Sequence, residues 1–249
     1  MTVLRFRDEF RQFLRFVQRP SLKRHVKHPT PVSGWVADWW PAYAPRQLLA
    51  WAGALWLINI VLLGPFVLAV YEMSGATHRI SVHNLPWFQA LLWAPIVEEL
   101  IFRFGLRRPA LGLLVTPILI YVFLNGFAWW ASSLVLVVVL MLCWSMRTTD
   151  MPRGAAWKWL RTYRRMFPWV MHLSVLAFAG LHLHNYEFEQ IPWWMMAVLV
   201  LPQWVTGLAL CWVRVQRGIG SAMLMHAMFN GGPLCVAWFA LQFAGDALS

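Results

Sequence analysis

Ionisable and polar side chains stand inside apolar stretches of this sequence, and several of them are spaced four residues apart. The set consists of Glu98, Glu99, Arg103, His182, His226 and Asn230, and the aromatic Phe178 stands four residues before His182. A spacing of four residues brings two side chains to the same face of an α-helix. Carboxylate and imidazole groups can relay protons or bind a zinc ion, so such residues in apolar helices are candidates for chemistry.

The two adjacent glutamates are predicted to have different neighbours. Glu99 precedes Arg103 by four residues, so the two side chains can form an ion pair on one helix face. Glu98 points about 100° away from Glu99, because that is the angle between successive residues of a helix. One carboxylate therefore neutralises the arginine, and Glu98 faces another group. A cluster in which all three charges only pack together stays an open alternative.

The composition indicates that these stretches lie in a membrane. Of 249 residues, 60% are hydrophobic, 12% are charged and 18 are tryptophans. A soluble domain has about 25% charged residues. The net charge of +11 reflects basic residues clustered between the apolar stretches, which indicates positive-inside bias and no nucleic-acid partner. Each charge near the bilayer centre costs roughly 2.5–3.5 kcal/mol, so a charge that lies there is a functional candidate.

The apolar stretches predict an all-α fold, a polytopic transmembrane helical bundle of about seven spans. Their approximate bounds are 49–72, 87–106, 109–126, 128–146, 168–184, 190–213 and 219–243. An odd number of spans that starts inside places the basic turns on the cytoplasmic side. The sequence therefore predicts an integral protein of a bacterial inner membrane, with a cytoplasmic N-terminus and a C-terminus outside.

Residues 1–48 differ in kind from the rest of the chain. Phenylalanines recur at helical spacing with arginines between them, which predicts a basic amphipathic segment. This cytoplasmic or interfacial arm can lie on the membrane surface or pack on loops of the protein, and both alternatives stay open. Residues 49–249 form the predicted transmembrane domain. Gly231-Gly232-Pro233 follow the last polar pair and predict a weakened helix there.

The order of the polar motifs resembles that of a known family. EExxxR beginning at Glu98, FxxxH at Phe178 and HxxxN at His226 follow one another on successive predicted spans. This order is similar to that of the CPBP family, which contains CAAX prenyl endopeptidases and bacteriocin-processing proteins. The resemblance covers about residues 87–235. Family members often have glycine directly after the motif arginine, whereas Phe104 stands there in this chain.

The resemblance implies a glutamate-dependent intramembrane endopeptidase that uses no metal or other cofactor. Glu98 is implied as the general base that activates a water molecule, assisted by His182. His226 and Asn230 are implied to stabilise the oxyanion of the tetrahedral intermediate. The implied partners are a membrane-associated protein or peptide substrate and the lipid bilayer. The implied structural supports of the site are Glu99, Arg103 and Phe178.

Other functions stay open at this point. A member of the same family can be a non-catalytic membrane scaffold or a bacteriocin-immunity-type protein, although the intact set of polar positions favours an enzyme. A zinc ion bound by Glu98, His182 and His226 is chemically possible, but the amide of Asn230 suits a donor role and favours a metal-free site. The sequence contains neither HExxH nor GxSxG. A proton-relaying transporter is less favoured because the sequence shows no internal repeat.

Overall fold

The computed structural model describes residues 5–25, 36–41, 44–78, 85–148, 153–188 and 191–248, and the structural statements below concern these ranges. Almost all of these residues are helical, as the sequence predicts. The helices are α1 (Phe6–Gln18), α2 (Val36–Trp39), α3 (Pro45–Ser74), α4 (87–107), α5 (Pro109–Leu124), α6 (Trp129–Thr148), α7 (Arg153–Leu181), α8 (Trp193–Leu199), α9 (Leu201–Arg217) and α10 (Ile219–Leu248). A 3-10 turn, His182–Asn185, continues α7. Thr77–His78 (β1) and Tyr186–Glu187 (β2) form an antiparallel strand pair.

Within the described ranges, two helices are long and apolar enough to cross a membrane, and a third is available from a bent pair. The first two are Pro45–Ser74, which is α3, and Trp159–Asn185, which is the C-terminal part of α7 with its 3-10 turn. The bent pair consists of α8 and α9, whose axes differ by 51°. Length and composition therefore support two or three spans. The count of about seven spans stays a prediction from the apolar stretches.

The middle of α3 carries a surface suited to lipid. Apolar side chains that are more than half exposed follow one another there: Leu57, Ile60, Val61, Leu62, Phe66 and Leu68. Such a surface is unfavourable in water, because apolar groups gain free energy when they leave water. In a bilayer the same side chains face acyl chains, and the helix satisfies its own backbone hydrogen bonds.

α9 lies at the centre of the helix bundle. It packs against α7 on one side and α10 on another. Residues 206–217 are all buried, polar ones included. A helix covered on all sides can present side chains to several neighbours at once, and α9 does so near the polar motifs.

α1 packs on the body of the protein. It contacts α3 and α9, and its residues Phe13 and Phe16 are buried. The Phe13 ring meets the Trp51 and Trp212 rings edge-on, with centroid distances of 5.5 and 6.3 Å. The apolar face of this amphipathic helix is therefore covered by the protein's own side chains.

A buried carboxylate fixes α1 to the helices beneath it. Glu9 has no exposed surface (0%). It accepts hydrogen bonds from Gln47 Nε2 at 3.2 Å and Trp51 Nε1 at 3.0 Å, both on α3. Arg217, at the end of α9, donates a further hydrogen bond to the same carboxylate and neutralises its charge. These three donors compensate the free energy that a buried charge would otherwise cost.

The helix break expected at Gly231-Gly232-Pro233 is not found, because α10 runs without interruption from Ile219 to Leu248. Pro233 has no N–H for the carbonyl four residues before it, which belongs to Phe229. The Trp56 indole of α3 replaces this missing donor and donates a hydrogen bond to Phe229 O at 3.0 Å. A Cβ at Gly232 would lie 2.3 Å from the Trp56 ring. The glycine and the proline therefore allow α3 to dock closely against α10.

Candidate active site

The helix α4 carries Glu98, Glu99 and Arg103 into a buried region. Glu99 and Arg103 have no exposed surface (0%), and Glu98 retains 7%. The backbone is α-helical over Ala94–Glu99 and π-helical over Leu100–Phe104. A π-helical turn holds more residues than an α-helical one and often occurs at functional sites. The change from α-helical to π-helical backbone directly after the glutamates therefore affects where the Arg103 side chain points relative to them.

Glu99 is held by a guanidinium and an imidazole. Its Oε1 accepts a hydrogen bond from Arg103 Nη1 at 2.9 Å. The same oxygen lies 2.9 Å from His226 Nδ1 on α10. The ion pair that the spacing predicts is therefore present. An ionised carboxylate only accepts hydrogen bonds, so the His226 Nδ1 carries a proton in this contact.

Glu98 lies at the other nitrogen of the same imidazole ring. Its Oε2 is 3.8 Å from His226 Nε2, which is longer than a hydrogen bond. This oxygen has no hydrogen-bond partner among the described residues. Glu99 Oε2 also has none, but the Glu99 side chain is fully buried, whereas that of Glu98 is 9% exposed. Glu98 is therefore the carboxylate whose side chain keeps some exposed surface, although its unengaged oxygen is itself buried.

Phe178 on α7 is in contact with three of the polar side chains. Its ring centroid lies 3.8 Å from Arg103 Cζ, 4.7 Å from the His182 ring and 5.8 Å from the His226 ring. A guanidinium over an aromatic face is attracted by the ring quadrupole, and more strongly where water is excluded. Gly207 on α9 makes room for this pair, because a Cβ there would lie 3.1 Å from Phe178 Cδ1 and 3.4 Å from Arg103 Nη2.

His182 begins the 3-10 turn that follows α7. Its Nδ1 lies 2.8 Å from the carbonyl oxygen of Phe178. A carbonyl only accepts, so Nδ1 donates its proton there and Nε2 of the neutral ring keeps a free lone pair. Its ring lies 4.7 Å from the Phe178 ring, which also contacts Arg103 and His226, so His182 belongs to the same site.

Asn230 contacts α4 nearer to the N-terminus of that helix than the glutamates are. Its Nδ2 donates to Ala90 O at 2.9 Å, within the π-helical stretch Gln89–Trp93. Ala90 precedes Glu98 by about two helical turns. The structure therefore clusters the following sequence-predicted residues: Glu98, Glu99, Arg103, Phe178, His182 and His226. Asn230 binds the same helix beside this cluster, and within the described ranges it makes no hydrogen bond to the cluster.

Side chains that sequence reasoning did not identify cap the C-terminal end of α4. The last carbonyls of a helix have no partner within the helix. Arg214 on α9 donates from Nε to Arg103 O at 3.0 Å and from Nη2 to Phe104 O at 3.4 Å. The Tyr163 hydroxyl on α7 donates to Leu106 O at 2.9 Å. The positive charge of Arg214 also interacts favourably with the dipole at this helix end.

Arg214 is itself held by a carboxylate from α2. Its Nη1 lies 2.6 Å from Asp38 Oδ1, and Arg24 Nη2 lies 3.4 Å from the same oxygen. Burial acts to raise the pKa of Asp38, but the two guanidiniums outweigh it and hold that pKa below its usual value. In the sequence, Arg214 is one of the basic residues that flank apolar stretches, so the positive-inside pattern accounts for it and gives no signal for a buried cap.

A metal site is not visible in the arrangement of side chains. In the part of the chain that the structure describes, no group of three or more His, Cys, Asp or Glu side chains could hold a metal ion. A direct metal measurement on the purified protein tests whether it binds one.

The helices and the buried ionisable cluster define the class, an integral membrane protein with a polar site among its helices. A sequence model of the family described as type II CAAX prenyl endopeptidase Rce1-like matches residues 80–232. The match covers more than half of the chain and includes all three motifs, so the chain belongs to this family, and the resemblance to CPBP proteins is confirmed. No curated protein and no solved structure matches the chain.

Proposed function

We propose that the protein hydrolyses a peptide bond of a membrane-associated protein or peptide, and that Glu98 activates the attacking water. One observation carries this proposal. Of the two adjacent buried carboxylates, Glu99 is engaged by Arg103 and His226 through Oε1, whereas Glu98 keeps an unengaged oxygen and some exposed surface. A carboxylate that retains its lone pairs in a poorly solvated place is a stronger base than one in water.

In the proposed first step, a water molecule beside Glu98 attacks the carbonyl carbon of the substrate and gives a proton to the carboxylate. His182 assists by accepting a hydrogen bond from this water at Nε2, the nitrogen that its contact with Phe178 O leaves free. The tetrahedral intermediate then collapses, the C–N bond breaks, and the proton on Glu98 passes to the leaving nitrogen. Glu98 thus returns to its ionised form at the end of the cycle.

The oxyanion of the intermediate needs donors. His226 donates a hydrogen bond from Nδ1 to Glu99, so a second donor at Nε2 requires a proton on both ring nitrogens. We assign the oxyanion contact to this Nε2–H and to the second amide proton of Asn230, because the first one is bound by Ala90 O. Glu99, Arg103 and Phe178 hold the helices that carry these groups.

The proposed setting is a bacterial inner membrane with the N-terminus on the cytoplasmic side. The distribution of basic residues supports this orientation. In this setting the substrate approaches the site from within or beside the bilayer, and the nearly complete burial of the glutamates keeps bulk water away from the intermediate.

The test compares new protein termini in the membrane fraction of cells that produce the wild type, Glu98→Gln or Glu72→Gln. Glu72 is an exposed carboxylate of α3 outside the site, so its variant controls for the same chemical change. We expect termini that depend on the protein to disappear with Glu98→Gln and to persist with Glu72→Gln. Termini that persist with both variants would refute the assignment of Glu98. If no termini depend on the protein at all, the non-catalytic scaffold or immunity function replaces the proposal.

A further inference from the structure

A cavity of about 470 Å³ lies between α1 and the end of α9, away from the candidate active site. Its apolar floor includes Phe16 and Trp212, both nearly fully buried. Its polar walls include Arg15 of α1, and Arg19 and His25 from the segment that follows. The cavity therefore combines an aromatic floor with basic groups from α1 and from the segment after it. It is open to the outside along one side.

The walls of this cavity are fixed before any ligand binds. α1 is anchored by the buried Glu9, which Arg217 and the α3 donors hold. The segment after α1 is anchored by Gln216 of α9, which is a lining residue itself. Gln216 accepts a hydrogen bond from the backbone N–H of His25 at 2.7 Å and donates to Lys23 O at 3.0 Å. Binding sites are typically preformed in this way, since a fixed cavity loses little conformational entropy when a ligand enters.

The basic groups of the cavity are not neutralised by nearby acids. No carboxylate is among the lining residues. The acids of α1 are engaged elsewhere, since Asp8 lies 3.4 Å from Arg5 and Glu9 pairs with Arg217. In the described ranges neither Arg15 nor Arg19 has an ion-pair partner. The cavity thus has a positive potential that an anion would lower.

The depth of the cavity matches the level of lipid headgroups. Trp212 and Gln216 lie in the last two turns of α9, and the candidate bent span ends at Arg217. The end of a span is the level of the phosphate groups, and basic pockets between helices on the cytoplasmic side bind such headgroups. The aromatic floor suits the interfacial region, where tryptophan is enriched.

We propose that this cavity binds a phosphate anion, carried by the headgroup of an anionic phospholipid whose glycerol and first acyl carbons contact Phe16 and Trp212. Arg15 and Arg19 neutralise the phosphate, and His25 donates a hydrogen bond to it. The site is built by α1 together with α9, and α1 lies outside the part of the chain that the family model matches. This inference does not depend on the proposed peptidase function.

The experiment measures lipid binding to the full chain in detergent by native mass spectrometry. The probes are phosphatidylglycerol, phosphatidylcholine with the same acyl chains, and inorganic phosphate as a competitor. The variant is Arg15→Gln/Arg19→Gln. The matched control is Arg7→Gln/Arg11→Gln, which removes the same charge from exposed positions of α1 that do not line the cavity. All four positions are exposed, so both variants are expected to fold.

We expect phosphatidylglycerol to bind one site more tightly than phosphatidylcholine does. The cavity variant should weaken this binding by about fivefold per arginine, or about 25-fold in total, and the control variant by less than about threefold. Competition by millimolar inorganic phosphate would support the site and assign it to free phosphate. Equal binding of both lipids, or equal losses in both variants, would overturn the proposal and leave only general attraction between a basic helix and anionic lipid.

Discussion

The adjacent glutamates should respond in opposite ways to substitution, and the structure gives the magnitude. Glu99→Ala removes the acceptor of two contacts of 2.9 Å, one from Arg103 Nη1 and one from His226 Nδ1. Arg103 is fully buried (0%), and its Nε and Nη2 already have no hydrogen-bond partner among the described residues. The variant therefore leaves a buried guanidinium without the one carboxylate that it pairs with in the described ranges. Removing one partner of a buried ion pair typically costs about 3–5 kcal/mol.

This loss is large for a single residue. Proteins are stable by only about 5–15 kcal/mol, so about 3–5 kcal/mol is a sizeable part of the total. For chains of 150–250 residues, each kcal/mol lowers the melting temperature by about 2–4 °C, which gives about 6–20 °C for Glu99→Ala. Arg103→Ala should lower the melting temperature by a similar amount, because it leaves the buried Glu99 unpaired.

Glu98→Gln should have the opposite effect. Among the described residues the Glu98 Oε2 makes no hydrogen bond, and it lies 3.8 Å from His226 Nε2. The amide keeps the shape of the side chain and removes a poorly solvated charge, so the melting temperature should stay the same or rise. The variant should nevertheless be inactive if Glu98 is the base.

The assay records folded yield, melting temperature and cleavage for each variant in the same detergent, with Glu72→Gln as the exposed control. The control should match the wild type in all three quantities. A Glu98→Gln protein that unfolds while Glu99→Ala remains stable would refute the reasoning, because the roles of the two carboxylates would be exchanged. Full activity of Glu98→Gln in a stable protein would also refute the role of Glu98.

The remaining predictions concern the helix cap, pH, metal and topology. Arg214→Gln should lower the free energy of unfolding by about 3–5 kcal/mol, because it leaves the mostly buried Asp38 without its closest cation. The control Arg165→Gln, at an exposed position, should change the free energy of unfolding by less than about 0.5 kcal/mol. Equal effects of both variants on the melting temperature would contradict the capping role of Arg214. Because the pKa of Asp38 in the folded protein is below its usual value, its contribution should be present above about pH 4 and disappear as the pH falls through that lowered pKa. Comparison of Asp38→Asn with the wild type in acid unfolding checks this, and an identical pH dependence would contradict it. Cleavage by the purified protein should survive chelators, with no stoichiometric metal in elemental analysis, and one bound metal lost together with activity would favour a metallopeptidase instead. Cysteine labelling from either side of the membrane should place segment 147–165 and Ser249 on opposite sides, and labelling of both from one side would reject the topology.

One part of the polar cluster was predictable from a local rule. The pairing of Glu99 with Arg103 follows from the periodicity of a single helix, and it holds although the backbone turns π-helical between them. The gathering of His182 and His226 around Phe178 follows from the family resemblance rather than from periodicity. Hydrophobicity and helix period together also sufficed to predict the helical fold.

The sequence could not show the contacts between distant segments. The cap formed by Arg214 and Tyr163 joins residues from three helices, and no local pattern distinguishes a buried cap from a basic turn at a membrane surface. Pro233 illustrates a second limit. Its missing N–H predicts a weak point in α10. The sequence does not reveal that the Trp56 indole on another helix donates a hydrogen bond to the unpaired carbonyl of Phe229. The packing of α3 on α10 therefore outweighs the tendency of the proline to break the helix.

The contact between Glu9 and Arg217 has a consequence for the order of events during synthesis. The two residues are 208 positions apart, so α1 leaves the ribosome long before Arg217 and the rest of α9 have been made. At about 5–20 residues per second, the interval is roughly 10–40 s. During this time the part of its apolar face that packs on Phe167 and Trp212 is uncovered, whereas a membrane surface offers both acyl chains and anionic headgroups. We therefore expect α1 to contact the membrane surface before it docks on the finished helix bundle, so that the two alternatives that the sequence leaves open for this arm become successive stages of one folding process.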